Sequence, residues 1–85
     1  VNYSFEEMSD EQLGMQDDLE ALRDVLAYKL QAINQSQEHL LYMENEEAAA
    51  ALGRIIEQEK EHVAELLRLI QTLDPVQAEK LRKIL

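Results

Sequence analysis

Glu59 and His62 stand three residues apart in the stretch Leu52 to Leu73, which reads as one helix. At helical spacing, one face of that stretch runs Leu52, Ile55, Glu59, His62, Leu66, Leu69, Leu73. The steps alternate three and four residues, so these side chains fall on a single stripe. All are apolar except the carboxylate and the imidazole at its centre, which occupy places where core residues belong. A Glu-x-x-His pair on an inward helix face is the spacing by which helix bundles hold iron or manganese between helices. The competing reading is an ordinary polar pair on a solvated face, which two adjacent breaks in an apolar stripe disfavour.

The elements that would position this pair can be read in order. Residues 1–8 form a lead-in whose Tyr3 and Phe5 are expected to pack on a neighbouring surface. Ser9 is the expected N-cap of helix 1, with Gln12 three residues on as its capping-box partner and Met8 and Leu13 as a hydrophobic staple. Helix 1 is predicted over 10–43. Its inward stripe is Met15, Leu19, Leu22, Leu26, Lys29, Ile33, Ser36, Leu40, Met43, broken by Lys29 and Ser36. Val25, Leu30, Ala32 and Leu41 widen the apolar face beyond the seam of a two-stranded coiled coil. Asn45 caps helix 2, predicted over 46–73, and the short connection makes the two helices antiparallel neighbours. Ala48 to Ala51 and Gly53 would permit a close approach. Asp74-Pro75 ends that helix and caps a third, predicted over 75–84, because proline fits a first helical position where no N–H is needed. The expected fold is one all-α domain over 1–85, an antiparallel hairpin plus a short C-terminal helix. The width of the stripes predicts pairing with a second subunit into a four-helix bundle, as a homodimer or higher homo-oligomer.

Composition supports this frame. Two glycines and one proline in 85 residues leave few turn formers. With no cysteine there is no disulfide framework and no thiolate metal site. A net charge of -10 argues against nucleic acid or an anionic membrane as partner. No apolar run reaches the ~20 residues of a membrane span, and no signal-peptide pattern is read. The expected location is cytoplasmic.

With the turn near Asn45, residues whose numbers sum to roughly 90 lie level in the hairpin, which places Lys29 within about one helical turn, ~5 Å, of both Glu59 and His62. Three ionisable residues then interrupt two apolar stripes at one level. Buried charges must pair or bind an ion. The bundle di-metal site needs a Glu from each of two helices and a Glu-x-x-His from each of the other two. Helix 1 offers no carboxylate between Asp24 and Glu38, and both of these lie too far along the axis.

The sequence resembles the encapsulated ferritins, short ferritin-like chains made of a helical hairpin and a C-terminal helix. The resemblance runs from Lys29-Leu30-Gln31-Ala32-Ile33 to Gln58-Glu59-Lys60-Glu61-His62, and extends from Phe5-Glu6-Glu7-Met8 to Glu79-Lys80-Leu81-Arg82-Lys83-Ile84-Leu85. It implies a ferritin-like bundle, an intersubunit di-iron ferroxidase site with Glu59 and His62 as metal ligands, and delivery of iron into an encapsulin shell. Where that family reads Glu-x-Glu-Ala, this chain has Lys29-Leu30-Gln31-Ala32, so the family's helix-1 ligand falls on Lys29. Its Trp-Tyr pair falls on Gln35-Ser36, and its shell-targeting tail is not part of this sequence.

Two functions follow. One is an iron-handling protein, with iron or another divalent metal held by Glu59 and His62 of two subunits and ferroxidase activity impaired by Lys29. The other is a metal-free scaffold or binding protein. Four carboxylates balance two divalent ions, whereas two Glu59 and two Lys29 already sum to zero. No catalytic residue is assigned, since no acid, base and nucleophile are arranged together. The charge balance makes one outcome testable at once. Fluorescence anisotropy should detect no binding to duplex DNA at physiological salt, and a saturable isotherm there would contradict it.

Overall fold

The computed structural model describes residues 9–85 of the chain. Helix α1 spans Asp10–Leu41, α2 spans Glu46–Leu73 and α3 spans Pro75–Ile84. There is no strand among the described residues. The expected lead-in packing of Tyr3 and Phe5, and the Met8 half of the staple, lie outside the described residues.

Each helix begins where its capping chemistry puts it. Ser9 Oγ accepts from the Gln12 amide at 3.1 Å while Gln12 Oε1 accepts from the Ser9 amide at 2.9 Å, closing a reciprocal capping box. Asn45 Oδ1 accepts from the Ala48 amide at 2.8 Å at the start of α2. Asp74 ends α2 and caps α3: its Oδ1 accepts from the Gln77 amide at 3.1 Å, and its Oδ2 takes the Arg23 guanidinium at 2.8 Å. Pro75 occupies the first position of α3, and Arg82 and Lys83 sit in its last turn, where the helix dipole favours cations.

Helix 1 is shorter than expected. It stops at Leu41, because Tyr42 leaves helical geometry at φ -111°, ψ 6° to free the chain for the Asn45 cap. The apolar Met43 had continued the periodic pattern past the point where the turn must begin. Met15 and Met43, expected in the core, are both exposed at the ends of the hairpin.

The two long helices pack side by side along one seam. On α1 the seam is formed by Leu19, Leu22, Leu26, Lys29, Ile33, Ser36 and Leu40, the expected stripe without its ends, and Leu13 and Ala32 are half-buried beside it. On α2 it is formed by Ala49, Leu52, Ile56, Glu59, Val63, Leu66, Ile70 and Leu73, with Ala51, Gly53, Leu69 and Gln71 half-buried beside it. This corrects the predicted α2 stripe: Ile56 and Val63 point into the seam, whereas Ile55 and His62 lie beside it and are exposed. Both stripes share Leu52, Glu59, Leu66 and Leu73. The one that packs has a single polar member, Glu59, so it buries one charge rather than two polar groups.

Among the described residues only Ile33, Ile56 and Ile70 are buried, and each keeps a few per cent of its surface. The described helices include none long and apolar enough to cross a membrane. Gly53 does not mark a close approach within the hairpin, since a Cβ there would meet nothing within 4 Å. Gly53→Ala should therefore raise stability by about 0.5–1 kcal/mol in urea unfolding, through a lower entropy cost of forming α2. A loss of stability would show that something does approach this glycine.

Candidate functional site

The seam places Lys29 opposite Glu59, as the level arithmetic required. Lys29 lies at the middle of the α1 stripe, between Leu26 and Ile33, and its four-carbon stem lets the ammonium cross the seam. Its Nζ is 3.1 Å from Glu59 Oε2 and 3.4 Å from Oε1, so one ammonium engages both oxygens of the carboxylate. The side chains are 32% exposed for Lys29 and 19% for Glu59. The pair is thus half withdrawn from water, where attraction is stronger than at a surface and each charge is costlier alone.

His62 stands on the next turn of α2, with Nδ1 3.8 Å from Glu59 Oε1. That is too long for a hydrogen bond. Its side chain is 53% exposed, on the flank of the hairpin rather than in the seam. The three predicted residues therefore come together around one carboxylate, but with different roles. Lys29 neutralises Glu59, and His62 waits beside it with its ring open to the outside.

Chemically, Glu59 is the pivot. A metal reaching it from the flank would meet His62 and the Glu59 carboxylate, and would have to displace or repel the Lys29 ammonium. Neither Asp24 nor Glu38 joins the cluster; among the described residues no group of three or more His, Asp or Glu side chains is placed to hold a metal ion. Asp24 lines a shallow hollow with Ala27, Tyr28 and Gln31 on the outer side of α1. Glu57 is engaged by Lys60 at 3.6 Å on the outer face of α2.

Sequence reasoning missed Ile56 and Val63, the residues that aim Glu59 at Lys29. The signal was present: Ala49, Leu52, Ile56, Val63, Leu66, Ile70 and Leu73 make an unbroken apolar stripe around Glu59 at the same three-four spacing.

If Lys29 and Glu59 form one neutral unit across the seam, removing one partner should cost more than removing both. Lys29→Leu and Glu59→Leu should each lower stability by about 1–3 kcal/mol, and the double substitution should recover most of that loss or exceed the wild type. Urea unfolding of the four proteins measures this. Additive losses would mean that the two charges are not coupled.

No protein-family model matches the sequence, and no curated protein matches it. The crystal structure of protein ne0167 from Nitrosomonas europaea is similar to this chain with a TM-score of 0.76 and 26% sequence identity, over 98% of this chain and 87% of that one. The likeness spans the hairpin and the short third helix together. What it carries to this chain is the fold: an all-α antiparallel hairpin closed by a C-terminal helix.

Proposed function

We propose that this chain is a ferritin-like hairpin that works as a scaffold or binding protein, with the Lys29–Glu59 ion pair in the layer where di-metal bundles hold their ions. The observation that carries this reading is the 3.1 Å contact between Lys29 Nζ and Glu59 Oε2. An ammonium on both oxygens of the carboxylate at the middle of the seam supplies the positive charge that a divalent ion would otherwise bring. Two such layers brought together are neutral with no metal bound. Ferroxidase turnover is then not expected, because the helix-1 ligand position holds a cation that cannot ligate while protonated.

The position of His62 favours a second reading, an iron-handling protein of the encapsulated-ferritin type. Its ring is half exposed, with Nδ1 3.8 Å from Glu59 Oε1. Glu59 and His62 from two subunits would then bind iron with water in the remaining positions, and an encapsulin shell in the cytoplasm would be the partner.

Metal titration separates the two. The wild-type protein should bind iron(II) weakly and oxidise it no faster than buffer. Lys29→Glu should raise iron affinity at least tenfold, since it completes the four-carboxylate, two-histidine set in a paired bundle. Without metal the same variant should melt lower than the wild type, because carboxylates then crowd one layer. Iron should restore the loss by mass action. Tight binding of two irons per dimer by the wild type, unimproved by Lys29→Glu, would favour the iron-handling reading.

A further inference from the structure

Helix α3 is the least secured of the three helices. It packs on α2, and its 10 residues fall short of the ~12–15 at which a helix becomes marginally stable by itself in water. Of its apolar side chains only Ala78 and Leu81 are drawn toward the hairpin. Val76, Ile84 and Leu85 stay 67%, 81% and 94% exposed, so they gain little from the seat. By helical spacing Val76, Lys80 and Lys83 share its outer side, and all three are exposed.

Two features hold α3 in place. Leu81 enters a cleft with Leu26 of α1 and with Leu67 and Ile70 of α2. It fills that cleft poorly, leaving about 340 Å³ between the three helices. The second feature is the Asp74 carboxylate, with one oxygen on the Gln77 amide at 3.1 Å and the other on the Arg23 guanidinium at 2.8 Å. The first bond starts the helix, and the second ties that start to α1. Asp74 is the single residue between α2 and α3, so the short helix is carried on a one-residue joint.

The seat has the parts of a helix-docking groove. Leu26, Leu67 and Ile70 give an apolar floor, and Arg23 stands where it reads a carboxylate at a helix N-cap. We propose that this groove receives a short amphipathic helix of another protein, and that α3 is its displaceable resident. The resident defines the chemistry of that partner: an N-cap aspartate for Arg23 and an apolar side chain two helical turns on for the cleft. A partner helix with a bulkier apolar face fills the space that Leu81 leaves, which is how it overcomes the advantage of a tethered competitor. Such a site rests on the binding-protein reading but uses nothing of the Lys29–Glu59 layer, so either can fail without the other.

Hydrogen exchange and peptide titration of the full chain, both followed by NMR, test it. The α3 amides should be about a hundredfold less protected than those around Ile56, because α3 opens locally. Arg23→Gln, and Asp74→Asn, which keeps a capping side chain, should each lower α3 protection roughly threefold more. Protection around Ile56 should not change, which also shows that each variant is folded. The probe is an unlabelled synthetic peptide of residues 74–85, read at the Leu67 and Ile70 amides. Leu81→Ala in the chain should tighten peptide binding about tenfold, because it weakens the resident. Leu81→Ala or Asp74→Ala in the peptide should weaken it. An α3 protected as strongly as the centre of the hairpin, a peptide that binds the Leu81→Ala chain no more tightly than the wild type, or binding indifferent to Asp74→Ala in the peptide would each overturn the proposal. So would α3 protection that rises with protein concentration, since the occupant would then be α3 of a second copy.

Discussion

A carboxylate half withdrawn into a helix seam must be neutralised, and in this hairpin Lys29 does it. Leaving Glu59 ionised and alone between Ile56 and Val63 would cost several kcal/mol, so the partner is a condition of the seam and not an ornament on it. The neutral pair lets the apolar stripe of α2 run on either side without another break from Leu52 to Leu73, and that of α1 from Leu22 to Leu40 with Ser36 as its one other polar member. It also fixes the register. A slip of the helices by one turn would strand both charges against aliphatic side chains. The seam thus buys pairing specificity from the same residues that, in a di-metal bundle, would have to release Glu59 to an ion.

Much of this was legible in the sequence where the physics is local. Ser9 with Gln12, Asn45, and Asp74 with Pro75 set their helix starts through hydrogen bonds within a few residues, and all three caps form. The level of Lys29 and Glu59 followed from a short turn and a fixed rise per residue. The rotation of α2 about its own axis was harder to read. Leu52, Glu59, Leu66 and Leu73 belong to two stripes, and choosing between them depends on which side chains interdigitate with α1. The expected stripe followed the Glu-x-x-His spacing. The observed one follows Ile56, Val63 and Ile70, and leaves His62 on the flank. The end of α1 was misplaced for a similar reason, since periodicity sees the apolar Met43 but not the backbone turn that Asn45 requires.

The rotation matters for function. With His62 in the seam, Glu59 and His62 would have formed a closed ligand pair facing helix 1. With His62 on the flank, the imidazole is half exposed to solvent while the carboxylate faces Lys29. The likeness to ne0167 fits this architecture end to end without assigning a ligand to it. One fold can serve metal chemistry or assembly alone, and the choice lies in the side chains of a single layer. Here the residue at the decisive position on α1 is a cation.

On this reading Lys29, and not a metal, satisfies Glu59. Crystals grown with excess iron(II) under anaerobic conditions, with diffraction recorded on both sides of the iron absorption edge, test it most directly. Lys29 Nζ should lie within hydrogen-bond distance of Glu59, with no anomalous peak beside that carboxylate. An iron peak bonded to Glu59 and His62, with the Lys29 ammonium turned away, would contradict it.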